Sequence, residues 1–239
     1  MQADSTAKKV ALVIGAGDST GGAIAKRFAR EGYVACVTRR SADKLQTLVD
    51  EIVAAGGQAR GYASDARKEE EVIQLVEDIE RDVGPIEVMV FNIGANVPCS
   101  ILEETARKYF KIWEMACFGG FLVGREVAKR MVTRERGTIL FTGATAGLRG
   151  SANFAAFAGA KHALRALAQS MARELGPRNI HVAHVVVDGA IDTDFIKTNF
   201  PERYAMKDQD GILNPDHIAD NYWHLHIQPR DSWTHELDL

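Results

Sequence analysis

The stretch that most restricts the fold is "KVALVIGAGDSTGGAIAKRFAREG", residues 9–32. A short aliphatic run enters glycines at positions 15, 17, 21 and 22, and a helical pattern follows. Glycine at a strand-to-helix turn lets the backbone bend sharply and lets an anion approach its N–H groups, where the helix dipole adds attraction. A glycine pattern alone is weak evidence. Here it lies between a first strand and a first helix, with a second strand ending near Thr38. That setting points to the pyrophosphate of a dinucleotide, with Gly15, Gly17, Ser19, Thr20 and Gly21 as its contacts. A tight turn without a ligand is the alternative.

Strand-like runs recur at residues 33–38, 59–64, 86–92, 137–143 and 180–187. Between them lie helical patterns at 41–57, 69–84, 104–134 and 152–175. Ser41 reads as the N-cap of the second helix, and Gly56 and Gly57 as its stop. The final "WTHELDL" reads as a closing strand. This alternation predicts an α/β fold: a Rossmann-type doubly wound parallel sheet in three αβα layers. No Pro/Gly/Ser-rich linker interrupts the chain, so residues 1–239 are expected to form a single domain. A polar, aromatic-dotted stretch at about 190–212 reads as a lid loop with short helices.

A net charge of -3 without a basic stripe argues against nucleic acid as a partner. Three widely spaced cysteines, Cys36, Cys99 and Cys117, suggest a reducing cytoplasm and neither a disulfide framework nor a metal site. The start "MQADSTAKKV" has no apolar signal core, and no run of 18 apolar residues predicts a membrane span.

The second strand runs into "TRRSADK". An acid in this place bonds the ribose 2′-hydroxyl of NAD, whereas an arginine accommodates a 2′-phosphate. Arg39 and Arg40 stand here and the first acid is Asp43, which favours NADP(H) over NAD(H). The alternative is a pair of solvated arginines opening a helix.

With these residues in view, most of the chain resembles the short-chain dehydrogenase/reductase family. The glycine loop resembles that family's TGxxxGxG motif, with Gly15 as its first glycine, Ser19 in the middle position and Gly21 as the last. "SDA", 64–66, resembles its acidic position after the third strand, which implies that Asp65 faces the adenine. "FNIGA" resembles its NAG segment and implies cofactor contacts at Asn92 and Gly94. "DGAIDT" falls where the family has PG followed by a threonine, implying Gly189 and Thr193 beside the cofactor. "FAGAK" falls on YxxxK.

The resemblance implies a catalytic Asn, Ser, Tyr and Lys, in which the tyrosine exchanges a proton with the substrate oxygen. Of these only Lys161 is carried over. The tyrosine position holds Phe157, the serine position Ala144 and the asparagine position Ala116. Phenylalanine has no proton to donate, and alanine cannot hydrogen-bond an oxyanion. Other readings stand beside this one: Phe157 as plain core, Lys161 on an outer face, and a hydroxyl from Thr142 or Thr145. As strand-end residues, those threonines are expected to point away from Ala144. His162 adjoins Lys161 but does not share its face. Asp188, in the place of the family's proline, either acts as a base or cation site or caps the following turn. Asn96, Cys99 and Asp192 are further candidates to line the cleft, and Tyr204 is a candidate surrogate acid.

Helices near 104–134 and 152–175 resemble the family's dimer surface, implying a homodimer or homotetramer acting on a small-molecule substrate. Two functions are expected. One is an NADP(H)-binding oxidoreductase with a non-standard active site; the other is a catalytically degenerate cofactor-binding or scaffold protein.

Overall fold

The central strands are buried along nearly their whole length, so each needs cover on both faces; a parallel sheet between two helical layers supplies it. The computed structural model describes residues 8–239, so the expectation for the first residues lies outside the described part. Among the described residues, seven strands form one sheet: β1 (Val10–Ile14), β2 (Val34–Arg39), β3 (Gln58–Ala63), β4 (Ile86–Phe91), β5 (Gly137–Thr142), β6 (Ile180–Val186) and β7 (Glu236–Asp238). Their order is β3-β2-β1-β4-β5-β6-β7 and every pairing is parallel. The doubly wound sheet and the closing strand agree with the sequence.

Side chains alternate between two cores, as the two-residue period of a strand requires. Leu12, Phe91, Phe141 and Val182 face α3 (Glu69–Asp82), α5 (Gly119–Arg134) and α6 (Ala155–Leu175). Val13, Val90, Leu140 and Val185 face α1 (Thr20–Arg30), α2 (Gln46–Ala54) and α9 (Pro215–His226). Strand order reverses between β1 and β4, so their carboxyl ends open a crevice at the switch point.

Two local expectations are corrected. The helix predicted at 104–134 is broken into α4 (Ala106–Trp113), a π turn (Glu114–Phe118) and α5. The wide turn closes by a bond from Gly119 N–H to Glu114 O and turns Ala116 and Cys117 inward. Such turns occur mostly as single insertions, often at functional sites. Ser41 precedes a 3-10 turn (Ala42–Leu45) and its side chain makes no cap bond, so α2 begins only at Gln46. The stretch at about 190–212 holds the expected short helices, α7 (Asp194–Asn199), α8 (Pro201–Tyr204) and a 3-10 turn, with a bridge between Ile191 and Leu213.

At the amino ends of the strands, a buried polar relay joins three elements. The Tyr33 hydroxyl and His226 Nε2 are 2.7 Å apart, and His226 Nδ1 lies 2.8 Å from Thr138 Oγ1. Burial pushes His226 down to about 4 and Tyr33 up to about 12. The unfolded imidazole binds a proton near its ordinary value of 6.5, whereas the folded one resists protonation until about 4. Stability contributed by the neutral ring is therefore present above pH 6.5 and lost as pH falls towards 4. His226→Gln is expected to shrink the drop in Tm between those limits by roughly 3 °C or more, read by thermal unfolding at each pH. An undiminished drop overturns this assignment.

Candidate functional site

The glycine loop leaves β1 with Gly15 at φ +83°, a conformation that glycine adopts without strain. A side chain at Gly15 would meet Asn92 O at 2.8 Å, and one at Gly21 would meet Gly15 O at 2.4 Å. The loop, α1 and the start of the segment after β4 therefore touch through backbone, and only glycine fits. Asn92 ties them further: its N–H donates to Ile14 O (2.9 Å) and its Nδ2 to Gly15 O (3.2 Å). Ser19 is the N-cap of α1, and its hydroxyl accepts from Thr20 N–H. The Thr20 hydroxyl is buried with no hydrogen-bond partner among the described residues. An orphaned donor at the start of an 11-residue helix, above a backbone cradle, suits a phosphate oxygen.

A cleft of about 360 Å³ opens beside this loop, lined by Gly15, Gly17, Arg39, Arg40, Asp65 and Gly94 among others. Arg39 leans over the loop, donating to Asp18 Oδ1 at 3.3 Å and to Lys44 O at 3.2 Å. Arg40 is exposed at the rim. Asp65 reaches the cleft, but its carboxylate is held by Arg67, whose Nε donates at 2.9 Å. That bond holds Asp65 below the usual carboxylate range.

The three positions that the sequence resemblance aligns with the catalytic Asn, Ser and Tyr lie near one another. Ala116 and Phe157 belong to one apolar cluster with Ala95, Ile112 and Ala160, and the partly buried Ala144 packs against it. Phe157 is 7% exposed, so its ring closes this cluster. One helical turn on, Lys161 lies 2% exposed with its Nζ 5.8 Å from the centre of the Phe157 ring. Its ammonium donates to Thr142 O (2.7 Å) and Ile93 O (3.1 Å), at the carboxyl ends of β5 and β4. Desolvation pushes Lys161 down to about 8. The outer-face reading of Lys161 is thus overturned. His162 is exposed and bonded to Ala158 O at 2.9 Å, away from the site.

Thr145 finds a partner that the sequence did not suggest. The strand ends at Thr142, and Thr145 opens a 3-10 turn, so strand alternation no longer governs its direction. Its hydroxyl donates to the Asp188 carboxylate. Asp188 therefore receives a hydroxyl from β5's turn and does not cap its own turn. Thr142 points to the opposite layer, sharing a 2.7 Å hydrogen bond with Tyr222.

Gly189 follows Asp188 at φ +156°. Thr193 caps α7, accepting from Ile196 N–H at 3.2 Å, and lines a second cleft opposite Asp18 and Ser19. Asp192 pairs with Lys207 at 2.7 Å, fastening the lid. Tyr204 lies between Lys197 and Lys207, each within 6 Å of its ring centre (5.8 and 5.7 Å). Asn96 is exposed; Cys99 is half-buried and donates its N–H to Asn153 O at 2.7 Å.

Sequence reasoning missed a network behind the lysine. Arg165, one turn beyond Lys161, donates to both Glu236 oxygens (2.6 and 2.5 Å), and His184 Nδ1 lies 3.0 Å from Glu236 Oε2. Burial pushes His184 down to about 4, so it is neutral at pH 7 and donates through Nδ1. Its ring packs where a Gly143 side chain would sit, 2.4 Å away. The only signals in the sequence were an arginine at i+4 from Lys161 and a glutamate in the last strand.

A sheet that reverses at a glycine loop, with a buried lysine beside the reversal, defines a nucleotide-binding α/β protein of the Rossmann class. Residues 9–203 match the short chain dehydrogenase family, and the chain belongs to that family of nicotinamide-dependent oxidoreductases. It is similar to 2-dehydro-3-deoxy-D-gluconate 5-dehydrogenase of Formosa agariphila, 31% identical over 207 residues covering 81% of this chain and 78% of that one. Among solved structures, it resembles a short-chain dehydrogenase from Rhodopseudomonas palustris, with 46% identity, 97% of each chain covered and a TM-score of 0.82. It also resembles a metagenomic short-chain oxidoreductase in complex with NADP: 26% identity, 97% of this chain and 96% of that one, TM-score 0.82. No helix among the described residues is long and apolar enough to cross a membrane.

Proposed function

We propose that the chain is an NADP(H)-binding oxidoreductase whose active site lacks the family's proton-delivering hydroxyls, working on a small molecule that needs none. The observation that carries this is the meeting of Ala116, Ala144 and Phe157 at one apolar cluster against the buried Lys161. That meeting supports reading the three positions together as one altered site.

When bound, the nicotinamide supplies or accepts a hydride. The chain's own residues hold it: the backbone of Gly15–Gly21 and the Thr20 hydroxyl for the pyrophosphate, Arg39 and Arg40 for a 2′-phosphate, Asp65 near the adenine, Asn92 and Gly94 beside the ring side. Lys161 offers an ammonium to the nicotinamide ribose, and Gly189 and Thr193 approach from the lid. Phe157 and Ala144 exclude water but move no proton. The NADP named with one structural relative and the NADPH named with another, an actinorhodin polyketide ketoreductase, support the choice of dinucleotide. The unpaired cysteines fit a cytoplasmic protein.

The face of α4 and α5 supports assembly into a homodimer or homotetramer. Phe110, Trp113, Phe118 and Phe121 form a ladder of neighbouring rings, with centroids 5.9, 5.7 and 5.9 Å apart. Phe110 is 57% exposed, and a lone soluble subunit gains nothing from an uncovered aromatic row.

Fluorescence titration tests the cofactor reading. NADPH is expected to bind about tenfold or more tightly than NADH, since a phosphate on two arginines makes charge-assisted bonds. Arg39→Ala with Arg40→Ala is expected to erase that ratio. A native preference for NADH overturns it. The degenerate-scaffold reading is distinguished by tight NADPH binding without turnover on any carbonyl, imine or conjugated alkene.

A further inference from the structure

At the carboxyl ends of β5 and β6, beside Ala144, stands a polar pair that the apolar cluster does not absorb. The Thr145 hydroxyl donates to Asp188 Oδ1, and the Asp188 backbone is pinned by a bond from its N–H to Leu239 O at 3.0 Å. Asp188 is exposed, and among the described residues it has no cationic partner and its Oδ2 accepts no hydrogen bond. Lys161 does not neutralise it, since that ammonium engages Ile93 O and Thr142 O. Ligands of open α/β sheets bind outside the carboxyl ends of the strands, and the loops carrying Thr145 and Asp188 lie there. Asp188 takes the place where the family resemblance has an uncharged proline. The site therefore combines an absent proton donor with a fixed, uncompensated carboxylate.

Those two features select the same chemistry. A ketone accepting hydride develops negative charge on oxygen, which needs a proton or a donor and is repelled by a nearby carboxylate. A protonated imine arrives with its proton and its positive charge already in place. Resting on the NADP(H) reading above, we infer that this site takes iminium ions and the ammonium form of their amine products, gripped by Asp188 with Thr145 fixing the carboxylate. In the step, the iminium carbon accepts a hydride from a reduced nicotinamide dinucleotide, which is oxidised. The C=N π electron pair moves onto nitrogen, giving a neutral amine. Solvent protonates that amine, and Asp188 then holds it as a cation until release. No protein group gives up a proton during hydride transfer, so Phe157 and Ala144 are no handicap.

The test uses the full chain saturated with NADP+ and calorimetric titration with 2-phenylpyrrolidine, a cation at pH 7, against 2-phenyltetrahydrofuran, its neutral counterpart. The cation is expected to bind about tenfold more tightly, as a charge-assisted hydrogen bond provides. Asp188→Asn is expected to bring the ratio to about one. Asp188→Glu should keep most of it, and Thr145→Val should lower it in part. Oxidation of NADPH by 2-phenyl-1-pyrroline is expected to slow by about tenfold or more in Asp188→Asn. Equal affinity of the native chain for the two ligands, or a preference untouched in Asp188→Asn, overturns the proposal. NADPH titration without ligand separates the two levels: no binding sinks the cofactor reading and this inference with it, whereas normal binding with no cation preference sinks the inference alone.

Discussion

The double variant Phe157→Tyr/Ala144→Ser is expected to reduce simple ketones with NADPH at least about 100-fold faster than the native chain, as general acid catalysis alone is worth roughly 10²–10⁴. A tyrosine in place of Phe157 adds an acid in a ring position already one turn from the Lys161 ammonium, whose Nζ lies 5.8 Å from the ring centre. A positive neighbour stabilises the phenolate and so lowers the phenol's pKa. The serine at 144 adds a hydroxyl for the substrate oxygen, a contribution of about 10²–10³ when such a donor is well placed. Residues that act as a unit are far from additive, so each single change is expected to yield little. Because Ala116 still lacks an amide, the gain should fall at the lower end. Initial rates on a panel of aryl and alkyl ketones decide the matter. Equal ketone reduction by the native chain would show that another group delivers the proton.

Lys161→Met should separate the lysine's cost to folding from its use in binding. The native ammonium is buried, with two carbonyls as its hydrogen-bond partners among the described residues, and desolvation pushes it down to about 8 against an ordinary 10.5. The folded state therefore binds fewer protons than the unfolded chain between those values, so the group's contribution to stability rises with pH across that window. Below pH 8 both states are protonated and the burial penalty is present in full; above 10.5 it has vanished. The span corresponds to about 3 kcal/mol. Methionine fills similar space without charge, so the variant should be more stable than the native chain at pH 7, with the advantage shrinking towards pH 10.5. Taking the difference between the two chains cancels Tyr33 and Tyr222, which titrate in both. NADPH affinity should fall about tenfold or more, the loss expected for a charged hydrogen bond. Urea unfolding across pH and a fluorescence titration read the two effects. A variant that is less stable at pH 7 yet binds NADPH normally would assign Lys161 a structural role.

The sheet and the glycine loop were legible because their signals are local. β1 is a continuous aliphatic run, and Gly15 and Gly21 are required by backbone approaches of 2.8 and 2.4 Å that no other residue permits. Lys161 and Phe157 were legible as a pair because one helical turn separates them. Ala144 and Ala116 were readable only by resemblance, since alanine carries no chemical signal of its own.

Other features depended on contacts between distant parts of the chain. Helical periodicity barely registers one extra residue, so the π turn at Glu114–Phe118 was invisible until α5 packed on the β3–α3 loop, where a Gly119 side chain would meet Ala66 O at 3.2 Å. The partner of Thr145 was not legible because strand alternation gives no guide past Thr142, where the strand ends and the backbone turns into a 3-10 helix. Asp188 lies 43 residues further on, and Glu236 lies 52 residues from His184; pairs so far apart meet only when β5, β6 and β7 align in register.

By itself, then, the order of apolar runs and glycines determined a parallel doubly wound sheet with a dinucleotide loop, because hydrophobic period and backbone freedom are properties of neighbouring residues. Tertiary structure alone decided that Lys161 is buried, that Ala144 packs against the apolar cluster of Ala116 and Phe157, and that Thr145 meets Asp188. Burial and charge pairing are set by what the fold brings across the crevice, which no single segment contains.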